Sequence, residues 1–332
     1  MKKVKTAIIG AGWFGNYHLD NMNKMENVEV TALVSTNEKR LAEIAKKAPN
    51  AKTYKDYHQM LDNNSDIDAI ITCVPPDSHD DIEVAASENK INLWMEKPLG
   101  ISMDTVNRNN KLINESGIIC AVGYQTRYNP ILEELKSKIQ NSTIGSINVK
   151  WFGIMPPTPW WRIKKRSGGQ LAEQVTHQID LLRYLFGDVE SVYSQANKSI
   201  IKDVENFDTD DTSSSILKFK SGLLCTLACG CFNSVEKAQD EITIEIFGKD
   251  FSAVYRWDES LIYKTKRETK TYYFGNEFHF TALKTFLDAI RNNTPEIIKS
   301  PYCDGVKTFA TTYAANISME TGKPVTVDEL LK

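Results

Sequence analysis

The sequence predicts two domains: an α/β domain with a parallel sheet and helices on both faces, then an α+β domain around a mostly antiparallel sheet. Three observations predict this. Strand-like and helix-like patterns alternate up to about residue 122. Beyond about residue 145, runs of β-branched and aromatic residues dominate. The 332 residues also exceed the usual reach of one hydrophobic core.

In the first part, apolar strand-length runs appear at Ala7–Ile9, Val28–Val34, Ala69–Val74, Asn92–Met95 and Ile118–Val122. Between them, apolar residues recur with helical spacing over Asn16–Met25, Glu38–Lys47, Tyr57–Asp62, Asp80–Asn89 and Met103–Ser116. In the second part, strands are expected at Ile147–Ile154, Val189–Ala196, Ser213–Phe219, Leu223–Cys231, Ile242–Phe247 and Phe251–Trp257. Lys220-Ser221-Gly222 and Gly248-Lys249-Asp250 have hairpin-turn chemistry. One helix, Leu171–Phe186, interrupts the strands, and helices at Phe278–Arg291 and Tyr302–Glu320 close the chain. The boundary falls near residues 122–130, giving domains of 1–122 and 123–332.

Composition excludes several functions. A net charge of −3 gives no reason to expect nucleic-acid or membrane binding. No apolar run approaches the ~18 residues that span a bilayer, and residues 1–9 are too short and strand-like for a signal peptide. A cytoplasmic protein is expected. Cys225-x3-Cys229-x-Cys231 invites a metal reading, but its alternation is that of a strand, and no histidine or second pair stands at zinc spacing. Buried free thiols, and no metal, are the expectation.

The chemistry begins at Gly10-x-Gly12-x-x-Gly15, directly after the first strand and before a helix. Gly10 permits the tight turn, Gly12 lets a pyrophosphate approach the backbone, and Gly15 lets helix and strand pack closely. The helix N-terminus, through Trp13 and Phe14, offers free N–H groups to that anion. The second strand ends in Ser35-Thr36-Asn37, where an acid would repel a 2′-phosphate; hydroxyl and amide groups with Arg40 nearby suit one. NADP is therefore expected ahead of NAD. Cys73, Pro75 and His79 follow another strand on the side where ligands bind, although His79 alone is more commonly a helix-start residue. Glu96-Lys97-Pro98 ends the next strand on that side. There an ammonium can hydrogen-bond a substrate oxygen.

The helix after Gly168-Gly169 carries Glu173, His177, Asp180 and Tyr184 on one face and Leu171, Val175, Ile179 and Leu182 on the other. A solvated face is the plain reading. The stripe also mixes two acids with an imidazole, and a carboxylate four residues from a histidine can orient it as an acid/base. Trp160-Trp161-Arg162 suits either a wall for the C–H face of a sugar, with Arg162 binding hydroxyls or a carboxylate, or a loop packed under the sheet.

Together Gly10-x-Gly12-x-x-Gly15, Glu96-Lys97-Pro98 and Gly168-Gly169-x-Leu171-x-Glu173-x-x-x-His177-x-x-Asp180 resemble the signature of the Gfo/Idh/MocA oxidoreductase family. The resemblance spans both domains. It implies a Rossmann domain followed by a glyceraldehyde-phosphate-dehydrogenase-like domain whose large open sheet builds homodimers or homotetramers. It implies NAD(P)-linked redox chemistry on a CH–OH group of a sugar, cyclitol or related polyhydroxy compound. Lys97 would contact substrate and cofactor ribose, His177 would exchange the proton, Glu173 would polarise them and Asp180 would bind a neighbouring hydroxyl. Glu96 and Pro98 would shape the cofactor-side turn, commonly with a cis bond before Pro98. Gly123-Tyr124-Gln125-x-Arg127-Tyr128 matches the crossover, with Gln125 toward the cofactor and Arg127 and Tyr128 toward the substrate. Many members carry Asp where this chain has Glu173. A cofactor-dependent glycosidase using transient oxidation, and a non-catalytic sugar sensor, are the competing functions.

Overall fold

The computed structural model describes residues 3–64, 66–79, 81–233 and 240–332. It divides into two compact units: residues 1–100, 104–125 and 279–305 form the first, and 101–103, 126–278 and 306–332 the second.

The first unit holds β1 (Val4–Ile9), α1 (Trp13–Met22), β2 (Val28–Val34), α2 (Glu38–Ala45), β3 (Lys52–Tyr54), α3 (Tyr57–Asn63), β4 (Ala69–Thr72), α4 (Ile82–Glu88), β5 (Asn92–Met95), α5 (Met103–Ser116) and β6 (Cys120–Val122). The six strands form one sheet in the order β3-β2-β1-β4-β5-β6, with every pairing parallel. Sequence order reverses between β1 and β4, so the loops after these two strands flank the switch point. β4 and β6 are buried along their whole length, as expected of parallel strands covered on both faces. The expected start of α4 at Asp80 lies outside the described residues. The short strand β3 escapes a pattern reading because only Tyr54 among its three residues is more than marginally covered.

The second unit contains α6 (Ile131–Gln140), β7 (Ile144–Ile154), α7 (Lys164–Ser167), α8 (Gln170–Glu173), α9 (Thr176–Phe186), β8 (Val189–Asn197), β9 (Thr212–Phe219), β10 (Leu224–Asn233), β11 (Glu241–Gly248), β12 (Phe251–Arg256), β13 (Ser260–Thr265) and β14 (Thr269–Tyr273). Later in the chain come α10 (Phe278–Asn292), which from His279 on counts with the first unit, and α11 (Tyr302–Thr321) and β15 (Val325–Thr326), which from Val306 on count with the second. Nine strands form one open sheet in the order β14-β13-β12-β11-β7-β10-β9-β8-β15, antiparallel except for β7 beside β10. Both expected hairpins are present. One sheet face is covered by helices: Gln178 of α9 donates to the carbonyls of Lys150 and Thr243, and Ser318 of α11 accepts from the Ser194 N–H. The alternating burial of β9 leaves its other residues exposed, among them Ile216.

Two differences from the sequence reading have physical causes. The strands β13 and β14 were not expected; β14 is the edge of the sheet, and its exposed Thr269, Lys270 and Thr271 give a polar edge that discourages further pairing, while β13 is a short run paired on both sides. The single helix expected over Leu171–Phe186 is pinched at Gln174–Val175 into α8 and α9. Both residues keep right-handed helical backbone, but the bonds from His177 to Gln174 and from Gln178 to Val175 are of the tighter i to i−3 kind. The β-branched pair Val175-Thr176 and the pull of Gln178 on the sheet carbonyls favour this pinch.

Cys225, Cys229 and Cys231 share the buried face of β10 as free thiols. Burial pushes their thiols up to about 12, 11 and 12. Among the described residues, no helix is long and apolar enough to cross a membrane.

Candidate active site

In the first unit the candidate residues begin at the turn from β1 into α1. Gly10 has φ +110°, and a Cβ there would lie 2.4 Å from the Cys73 carbonyl oxygen. A Cβ on Gly15 would lie 1.9 Å from the Gly10 carbonyl oxygen, so only glycine lets α1 pack down on the turn. At Gly12 the same position faces open space. No side chain caps the first turn of α1, so its N–H groups and partial positive charge are available to an anion. These features fit a dinucleotide pyrophosphate.

At the end of β2, Ser35 accepts from the Asn37 N–H at 3.2 Å, and Asn37 accepts from the Arg40 N–H at 3.0 Å as the cap of α2. Thr36 and Arg40 are exposed here. The Glu38 carboxylate, the acid of this loop, is paired with Lys55, which holds it below its ordinary value.

After β5 the peptide bond Lys97–Pro98 is cis. Beside Lys97 stands a buried cluster that sequence reasoning missed. Glu96 Oε1 lies 2.8 Å from His18 Nε2, accepts from the Trp94 indole N–H at 2.9 Å, and accepts from the Gln125 amide at 3.2 Å. Gly123 permits this approach, since a Cβ there would touch the Glu96 carboxylate at 2.6 Å. Burial opposes the charged form of Glu96. The hydrogen bond and charge of His18, the Trp94 N–H and the Lys97 charge outweigh burial and hold the carboxyl below its ordinary value. Glu96 and Gln125 were expected to touch the cofactor; both are buried, and the bonds described here join them to each other. His79 is likewise buried, its Nδ1 3.2 Å from the Leu99 carbonyl and 3.5 Å from Glu83. The only signal for His18 was its place one helical turn after Gly15, beside the apolar Leu19 and Met22.

In the second unit the candidate residues are carried by α8 and α9. Gly168 and Gly169, at φ +80° and +87°, turn the chain into α8. The Trp161 indole N–H donates to Glu173 Oε2 at 2.7 Å. Trp161 is fully buried, so it is a packed support and not an exposed sugar wall, which corrects one expectation of its role. Its neighbour Arg162 keeps partial exposure. The His177 ring is centred 5.4 Å from the Trp257 ring.

Asp180 is also buried, against the plain reading of a solvated stripe. It accepts from Arg127 Nε at 2.7 Å and Nη2 at 2.6 Å, and from the Thr308 hydroxyl at 2.8 Å. Thr308 in turn accepts from Arg183 at 2.8 Å, and Arg183 donates to Asp188 at 2.6 Å. This chain of charge-assisted bonds fixes α9 below His177. Tyr128 is buried, and the Tyr184 hydroxyl donates to Glu133 at 3.1 Å.

Comparison with known proteins agrees with this geometry. The model of the oxidoreductase family with an NAD-binding Rossmann fold matches residues 4–124, and that of the Gfo/Idh/MocA C-terminal domain matches residues 133–254. The chain is 25% identical to a myo-inositol 2-dehydrogenase of Thermotoga maritima, covering 99% of this chain and 100% of that one. It is 25% identical to a scyllo-inositol 2-dehydrogenase (NAD(+)) of Bacillus subtilis, covering 98% and 97%. A solved levoglucosan dehydrogenase, in complex with NADH and levoglucosan, shares the fold at a TM-score of 0.86 and 20% identity, covering 98% and 100%. With both family domains matched in order and the nucleotide cradle formed, the chain belongs to the Gfo/Idh/MocA family of oxidoreductases.

Proposed function

We propose that this protein oxidises or reduces a CH–OH carbon of a sugar, cyclitol or related polyhydroxy compound, using NADP in preference to NAD. One observation carries the reading. Lys97 directly follows Glu96, whose buried carboxylate is held by His18, Trp94 and Gln125; Glu173 accepts from the Trp161 indole N–H; and His177 shares its helix with Asp180, which Arg127 and Thr308 hold. Such fixed frames are what positioning and acid/base catalysis require.

The nicotinamide, when bound on the cradle of Gly10, Gly12 and Gly15, supplies the hydride-accepting carbon. Lys97 donates from its ammonium to the substrate oxygen. His177 takes the hydroxyl proton in oxidation and returns it in reduction. Glu173, held by Trp161, orients His177, while Arg162 reaches the substrate's other hydroxyls. Asp180 and Arg127 serve each other first and keep α9 in place. On the adenosine side, Ser35, Thr36 and Arg40 suit a 2′-phosphate, since the one nearby acid, Glu38, is occupied by Lys55. Functionally, residues 1–122 would hold nucleotide and 123–332 substrate. The exposed face of the nine-stranded sheet would join two or four copies, and a monomer by light scattering removes that part of the proposal.

The test is a panel of inositols, sugars and polyols assayed with NAD and NADP. Nicotinamide reduction with at least one ring polyol, more efficient with NADP, supports the reading. Reduction with none of them contradicts it, and a preference for NAD contradicts the cofactor assignment.

A further inference from the structure

The largest exposed aromatic surface near the nucleotide cradle belongs to Trp13, the first residue of α1, which is 72% exposed. An indole so uncovered is unusual, because tryptophan ordinarily buries most of its area. Yet the ring is held. It stacks on Tyr17 one turn later, with centroids 5.6 Å apart and planes at 10°, and meets the edge of Phe14 at 4.8 Å and 88°. Tyr17 in turn meets His279 edge-on at 5.9 Å and 86°. One indole face is therefore taken by Tyr17, while most of the indole's surface stays exposed.

We propose that the Trp13–Tyr17 stack is a substrate ledge, taking the C–H face of a ring polyol against the open side of the Trp13 indole. The proposal rests on the oxidoreductase reading above and deepens it to a cyclic substrate with an apolar ring face. Its chemistry is distinct from that of the cradle. The cradle offers N–H groups to an anion; the ledge offers a flat π-surface whose negative face attracts polarised C–H groups. His279 does not bring a cation to the stack at neutral pH. Burial lowers its pKa to about 4, against the smaller raising effect of Glu96, while His18 adds to the lowering. The ledge thereby favours a neutral ring polyol.

The test uses the protein with NADP bound and two readouts. In 5-fluorotryptophan-labelled protein, the Trp13 resonance, assigned by its loss in Trp13→Phe, is followed during titration with myo-inositol and with acyclic glycerol. It is expected to shift saturably with myo-inositol and not with glycerol. In kinetics on the best ring polyol of the panel, Trp13→Ala is expected to raise KM about tenfold. Cofactor Kd should stay within about twofold, and Trp13→Phe should recover most of the loss. An unmoved resonance overturns the ledge, as does a cofactor Kd that rises in step with KM, which would assign the indole to the nicotinamide. If the panel shows no turnover, the oxidoreductase reading fails by itself, and the resonance still decides the ledge. The exposed position of Trp13 makes loss of fold an unneeded explanation, which thermal melts of both variants check.

Discussion

At the scale of single residues, the bonds that hold Glu96, Glu173 and Asp180 reach across the chain in ways that spacing does not announce. Glycines 10, 12 and 15 were legible because each is required by a local collision or its absence. The Trp161–Glu173 bond was not: it joins a loop residue to a helix residue across the Gly168-Gly169 turn, and no periodicity links them. Trp161→Phe deletes that donor while keeping most of the buried ring. It is expected to lower kcat about tenfold with KM held within about twofold, and to cost roughly 1–3 kcal/mol of stability. Loss of stability with kcat unchanged, read by steady-state kinetics beside a denaturant titration, would leave Trp161 a packing residue only.

Among the elements, the strands of the parallel sheet were readable since burial on both faces makes them continuous apolar runs. The polar edge strand β14 carries no such mark. Nor does the pinch between α8 and α9 show in an amphipathic stripe that runs straight through it. Helix α10 makes a pH-dependent contribution through His279, whose pKa of about 4 lies below the ordinary 6.5 because its imidazole is buried. Between these values the unfolded chain binds the proton that the folded one refuses. Stability therefore rises with pH through this interval, is complete above about 6.5, and is lost as pH falls toward 4. His279→Phe is expected to flatten that loss by about 1–2 kcal/mol, allowing for partial exposure. Denaturant titrations at pH 4.5 and 7.5 check it, and an equal loss in both proteins would contradict it.

For the whole molecule, the order of elements announced an α/β unit followed by an open antiparallel sheet, and the two family domains match in that order. Less visible was the chain's return: residues 279–305, after the last hairpin strands, count with the first compact unit. Helix α10 has an ordinary amphipathic pattern and α11 a weak one, and such patterns name at most a buried face without naming what buries it. Substrate choice lies at the same limit. Side chains such as the exposed Trp13 and the half-buried Arg162 carry no periodic signal, so their meaning comes only from where the fold sets them.

The central claim is that Lys97 and His177 act on the substrate's oxygen and proton while the glycine cradle independently holds the nucleotide. The most direct measurement compares wild type, Lys97→Met and His177→Gln for single-turnover NADP reduction by the best ring polyol, beside NADP binding by calorimetry. Each variant is expected to lose on the order of 100-fold or more in the reduction rate, with the Kd for NADP within about threefold of wild type. Reduction at the wild-type rate in either variant would contradict the account.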